Sequence, residues 1–240
     1  MVELHFARLQ TALFLTSLDT VKKLDLAMAI RSASGGLLDA DPLMLPIPPN
    51  APPELPRLQL RSGDGHWVYQ VTGNRLDFVF EPPFDKLGDI EFADTIQRQA
   101  QINGSIWDAI QAEYSASGSR IGIVSLFVSL PGDPVRVLQT RFMQPSNAPT
   151  PHQLQLHALH KMVLGEIPIN RWVRCIAGEL PLESGSQDSL RVEIDVNTLP
   201  ERHFGLGSAA ILGFADKVKG LVLNTAASLF EDTPSGERIF

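Results

Sequence analysis

The chain contains one cysteine, Cys175, in 240 residues. A single thiol cannot close an intramolecular disulfide or build a multi-thiolate metal site. Cys175 lies in the alternating run WVRCIAG, where it reads as a small buried hydrophobe rather than a nucleophile. A basic excess is also missing. Lys and Arg number 20 against 27 Asp and Glu, for a formal charge of −7, and both halves are acidic (10 basic and 15 acidic residues in 1–120, 10 and 12 in 121–240). Neither half has the charge of a protein that tracks a phosphate backbone, so nucleic acid is a disfavoured partner, leaving only room for a local basic stripe. No apolar run approaches the roughly 18–20 residues of a membrane-spanning helix, and the chain opens without a basic segment, apolar run and cleavage site. The expectation is a cytoplasmic protein with no membrane partner. GxSxG elbow, P-loop, HExxH, cysteine pair and EF-hand loop are all absent, which removes familiar versions of several enzyme classes but not catalysis itself. No cofactor and no metal are expected.

What the sequence does have is clearest in Leu58–Glu81, LQLRSGDGHWVYQVTGNRLDFVFE. Leu58 and Leu60 alternate with polar residues, Gly63-Asp64-Gly65 turns the chain, and Trp67, Tyr69 and Val71 share one face of the next run. Gly73-Asn74 turns it again before Leu76, Phe78 and Phe80. Period-two alternation between Gly/Asn/Asp turns predicts a three-stranded meander with one buried face.

Around it, residues 4–16 read as a strand. A helix follows, capped at Ser17 or Asp19 and stopped by Gly35-Gly36 near Ala33. Seven prolines between Pro42 and Pro56 forbid helix or central strand there. That stretch reads either as a polyproline-type ligand or as a loop draped over a sheet edge. A helical pattern runs from about Asp89 to Ser115, with a kink expected at Asn103-Gly104 and Ser105-Asp108, and with Gly118 as its stop. Residues 120–130 read as a buried strand returning through Pro131–Pro134 into a second hairpin strand, VRVLQTRFM. Thr150-Pro151 and Gly165 bracket HQLQLHALHKMVL, which reads as a helix. Strands are expected near 171–181 and 189–197. A last helix spans about Ser208–Phe230, with Gly213 and Gly220 on a face that could lie against a sheet. Residues 231–240 read as a mobile tail.

The fold class is therefore α+β, with mostly antiparallel sheet built from hairpins and the meander and covered by long helices. Segments 1–144 and 145–240 form either two halves or one continuous domain. No sequence repeat is visible, although a coarse hairpin-then-helix pattern recurs over 66–115, 120–164 and 171–230.

Four constellations could carry chemistry, and each has a plainer reading. Gly205-Leu206-Gly207-Ser208-Ala209-Ala210 opens a helix in GxGxxA form, so Gly205, Gly207 and Ser208 are candidates for an anion site. A dinucleotide fold needs a following strand that the chain lacks, and a flexible helix entry is the alternative. On a helix, His157 and His160 would share a face, with His152 and Glu166 nearby. No second ligand pair accompanies them, which leaves surface histidines. Glu193 and Asp195 fall on one strand face with Arg191, a pairing suited to acid–base work if enclosed and to solvent if not. His66 and Trp67 could line a cleft rim, and Arg171, Trp172 and Arg174 a basic-aromatic patch.

The opening strand ELHFARLQTALFL, the SRIGIV strand after a long helix, and VEIDVNT followed by a helix ending LFEDT together resemble an uncharacterised bacterial family scattered across genomes. The resemblance implies an architecture and a bacterial or phage-related source, and brings no site residues with it. The leading expectation is a non-catalytic cytoplasmic binding or assembly protein acting through protein contacts, with the Pro42–Pro56 loop and the acidic tail as contact elements. One alternative is an enzyme or small-ligand receptor with a pocket between sheet and helices, in which Glu193, Asp195, His157 and His160 converge. The other is an RNA-processing protein made of two ferredoxin-like halves.

Overall fold

The structure, a computed structural model, describes residues 2–18, 22–48, 51–114, 116–130, 132–143, 150–182, 185–202, 204–230 and 240. In chain order the elements are β1 (His5–Ser17), α1 (Lys23–Ala33), β2 (Leu43–Met44), β3 (Leu58–Arg61), β4 (Trp67–Val71), β5 (Arg75–Phe80) and α2 (Phe92–Tyr114). There follow β6 (Ser117–Ser129), α3 (Pro134–Phe142), β7 (Leu154–Leu164), β8 (Ile167–Leu182), β9 (Gly185–Thr198) and α4 (Ser208–Phe230). The strands form one nine-stranded sheet in the order β2-β3-β4-β5-β1-β6-β9-β8-β7, and every neighbouring pair is antiparallel. The α+β expectation holds.

The order contains a twofold repeat, in place of the coarse threefold hairpin-then-helix pattern expected over 66–115, 120–164 and 171–230. A strand, a helix, a meander and a second helix occur twice, as β1-α1-β3-β4-β5-α2 and as β6-α3-β7-β8-β9-α4. In each unit the last meander strand pairs with the first strand, and the two first strands, β1 and β6, pair with each other at the sheet centre. β6 precedes residue 144 and bonds to β9 beyond it, so segments 1–144 and 145–240 share the sheet.

Alternation decides which side of each strand is dry. Leu58, Tyr69, Phe78, Leu13, Ile121, Ile194 and Val173 all point to one face and are essentially inaccessible. They join Leu26 and Ile30 of α1, Ile106 and Trp107 of α2, Leu138 of α3 and Phe214 and Val218 of α4 in a single core. All four helices cover that face. α4 buries Ile211, Phe214, Ala215, Val218, Val222, Thr225 and Leu229, a three-four spacing that presents one stripe to the sheet. Gln99 of α2 bridges the central strands. Its amide donates to the Phe78 carbonyl at 3.0 Å and its Oε1 accepts from Thr11 Oγ1 at 2.7 Å, which satisfies a polar group that would otherwise be costly at zero exposure.

Several local expectations are corrected. Residues 154–164 form β7, paired with β8 over their whole length, and Gly165, at φ +66°, sits in the turn that joins them rather than stopping a helix. The alternation of Leu154, Leu156, Ala158, Met162 and Leu164 outweighs the flanking helix signals. Conversely, 134–142 form helix α3 and not a hairpin strand, because Asp133 caps it by accepting from the Arg136 amide at 2.9 Å and Pro134 starts it. α2 runs unbroken through Asn103–Ser105, and Gly104 is where the start of α4 approaches it. Gly118 lies inside β6, where an added Cβ would collide with Leu206 Cδ1. Gly213 and Gly220 face solvent and not the sheet. α1 starts at Lys23 without a side-chain cap, and Asp19 lies outside the described residues. The strand–helix–meander–helix order replaces the ferredoxin-like one. The proline-rich stretch lies along the β3 edge, with Leu43 and Met44 paired to β3 and the Pro53 carbonyl accepting from the Gly73 amide at 2.7 Å. The tail expectation at 231–239 falls outside the described residues. Among the described residues no helix is long and apolar enough to cross a membrane.

Candidate functional site: the uncovered face of the sheet

With the helices gathered on one side, among the described residues no helix covers the other side of the nine strands, a bare face roughly 40 Å across at the usual strand spacing. Two polar networks flank its central strands. In the first unit Asp77 lies opposite Ala12 of β1 and is only 3% exposed. Its Oδ2 is 2.7 Å from Arg75 Nε and its Oδ1 accepts from Gln10 Nε2 at 2.8 Å, while Gln10 Oε1 accepts from Arg8 Nη2 at 3.3 Å.

In the second unit Asp195 lies opposite Val124 of β6. Counted from the start of each 13-residue central strand, Val124 holds the place that Ala12 holds in β1. Asp77 and Asp195 are therefore counterparts, one on each side of the β1/β6 pair. Asp195 accepts from Asn197 Nδ2 at 3.0 Å and has Arg174 Nη2 at 3.9 Å, while Arg174 Nη1 donates to Glu193. Burial pushes the Asp195 carboxyl above the usual carboxylate range. The Asn197 hydrogen bond and the Arg174 charge oppose that rise without cancelling it, and neighbouring Glu193 adds to it.

Two aromatic rings lie under guanidinium groups on this face. Arg174 sits 5.4 Å from the Trp172 ring centroid, and Arg120 sits 4.4 Å from that of Phe14, with Arg75 at 5.9 Å from the same ring. The strand register also places Arg8, Arg61, Arg191 and Lys161 on this side. Among the described residues the bare face thus carries seven cations, Arg8, Arg61, Arg75, Arg120, Lys161, Arg174 and Arg191, against three carboxylates, Asp77, Glu193 and Asp195. That excess sits on a chain whose formal charge is −7.

Of the suspected residues, Glu193 and Asp195 do share a face, with Arg191 as expected and with Arg174 between them. His157 lies on the same face opposite Arg174, at the exposed outer strand. His160 does not join it: on a strand, positions three apart point to opposite sides, and His160 faces the helix layer opposite Arg171. The four residues do not converge in an enclosed pocket. Among the described residues no group of three or more His, Cys, Asp or Glu side chains could hold a metal ion. Gly205, Gly207 and Ser208 form the entry to α4, where Ser208 packs on Gly104 and the Gly207 carbonyl accepts the Ile211 amide at 2.9 Å. Trp67 is buried against Phe80, at 4.4 Å between ring centroids, so it lines the core and not a cleft. Cys175 is fully buried, and burial pushes its thiol up to about 12. Arg171 of the supposed basic-aromatic patch lies on the covered face, and Trp172 and Arg174 lie on the bare one.

Sequence reading missed Asp77, Gln10, Arg75, Phe14 and Arg120. The signal for Asp77 was present, since a residue between buried Leu76 and Phe78 must point away from the core. What no local pattern carries is that β5 and β1 are neighbours. No protein-family model and no curated protein matches the chain, so a functional reading rests on this face.

Proposed function

We propose that the chain is a non-catalytic binding or assembly protein of bacterial or phage-related origin, working in the cytoplasm through protein–protein contacts made on the bare face of its sheet. The observation that carries this reading is the charge contrast: a cation-rich face on an acidic chain complements an acidic protein surface. Its half-buried aromatics and amides resemble the mixed composition of protein interfaces. Asp77 and Asp195 weigh against a nucleic acid, because they place negative charge on both sides of the centre, along the path a phosphate backbone would take. The buried, lone thiol suits a reducing compartment.

The test is cross-linking mass spectrometry on tagged protein in gentle extract. Lys161 supplies a reactive amine on the bare face, and Lys219 on α4 supplies one on the helix side. A partner cross-linked at Lys161, retained in Lys219→Glu and lost in Arg120→Glu, supports the reading. Cross-links confined to Lys219, or a partner indifferent to Arg120→Glu, overturn it. RNA retained on filters at low salt by the wild type and lost in Arg120→Glu would put the RNA reading, for which Trp172 and Phe14 are suitable stacking surfaces, in its place.

A further inference from the structure

The two ends of the sheet are built differently. At one end the outermost strand, β2, has two residues and lies between Pro42 and Pro46. A short, proline-flanked edge offers little backbone for another strand to pair with. At the other end stands β7, eleven residues long and, among the described residues, bonded on one side only, to β8. In the first unit β2 lies outside β3, and among the described residues the second unit has nothing at the corresponding place outside β7.

The side chains of β7 leave this edge unguarded. Leu154, Leu156, Met162 and Leu164 point toward the helix layer but remain half-buried, because α3 and α4 lie over β8, β9 and β6. On the bare side Leu159 is 42% and Val163 62% exposed. The strand holds no carboxylate and no proline, and its one lysine is Lys161. Proteins normally blunt so long and apolar an edge.

We propose that β7 pairs antiparallel with β7 of a second copy, forming a two-fold dimer in which the sheet runs continuously across both chains. The sequence suits self-pairing about Leu159. In that register Leu154 meets Leu164 and Leu156 meets Met162 toward the helix layer, and Leu159 meets its own copy on the axis, while the intervening pairs are Gln155 with Val163, His157 with Lys161 and Ala158 with His160. The two-fold axis makes the contact closed and isologous, giving a dimer and not a fibre. Eleven residues a side is small beside the roughly 20–30 of a standard interface, so the dimer dissociates at low protein concentration. The inference is independent of what the bare face binds.

Sedimentation velocity across a wide concentration range tests it, together with two variants. Wild type shifts from 26.3 kDa toward twice that mass as concentration rises. Leu159→Lys with Val163→Lys changes exposed positions only, keeps the melting temperature, and weakens the dimer by at least about tenfold through like charges on the axis. Leu159→Cys, read against the buried and unreactive Cys175, forms a covalent dimer on mild oxidation, whereas Met28→Cys on the exposed side of α1 does not. A chain that stays monomeric at about 200 μM, a dimer unaffected by the double substitution, or a dimer in which Leu159→Cys fails to cross-link each overturns the proposal. A monomeric result leaves the reading of the bare face standing, since Lys161 cross-links to a different protein remain its own test.

Discussion

Asp195 carries a carboxyl that burial holds above its ordinary value of 3.8, so the folded chain binds that proton more tightly than the unfolded chain. The stabilisation this represents is complete below the unfolded value and is lost as pH rises through the folded one. At neutral pH the ionised group is therefore a net cost, and Asp195→Asn should raise the melting temperature at pH 7. Its advantage should shrink as pH falls toward 3.8. A lower melting temperature at pH 7 would show that the Arg174 contact outweighs burial. Cys175 works in the same direction. With its thiol pushed from 9.0 to about 12, the native protein should be inert to Ellman's reagent and react only on unfolding. The linked stability is full below pH 9 and declines between 9 and about 12. Rapid labelling of native protein would contradict this. Both positions were legible in part. Parity along β9 gave the shared face of Glu193 and Asp195, and the WVRCIAG alternation gave the burial of Cys175. The Arg174 contact that helps tune Asp195 was not, because Arg174 stands on the neighbouring strand β8, whereas Asn197 is two residues along β9 itself.

Elements differ in how openly they declare themselves. The meander and the extent of α4 were legible, since Trp67/Tyr69/Val71 has one unambiguous period, but the buried side of α4 was not, because the helix is apolar on most sides and Gly213 and Gly220 face solvent. β7 and α3 were exchanged in kind. Pro151 and Gly165 mimic helix boundaries around β7, and in VRVLQTRF the Val135/Val137 alternation masks the helical spacing of Val135 and Leu138, which α3 buries after the Asp133 cap. Two predictions belong here. Gly213 and Gly220 face open solvent in a helix, with nothing within 4 Å of a would-be Cβ. Alanine at either should stabilise by about 0.5–1 kcal/mol in urea titrations by narrowing the unfolded ensemble. Gly104 is the opposite case, because a Cβ there would sit 3.2 Å from Ser208 Cβ, where α2 and α4 touch. Gly104→Leu should cost roughly 1–3 kcal/mol, and an unchanged urea midpoint would show that the helices can part freely.

For the whole molecule, the β1/β6 ladder and the α2–α4 contact join the two repeated units through one core. Calorimetry should show one cooperative transition with matching calorimetric and van't Hoff enthalpies, and two resolved peaks would mean that the units melt separately. The fold class followed from hairpins alternating with helices. Strand order did not, because hydrogen bonding between residues such as Leu13 and Ile121 leaves no trace in the local pattern of either.

The position of β1 also bears on how the chain is made. It leaves the ribosome before the other eight strands, yet it ends between β5 and β6. Once residue 80 has emerged, one flank of β1 can zip, while the other stays open until translation passes residue 117 and reaches the central partner. A nascent chain stalled between these points holds a half-finished sheet with its middle exposed, which is the stage at which a chaperone would matter most.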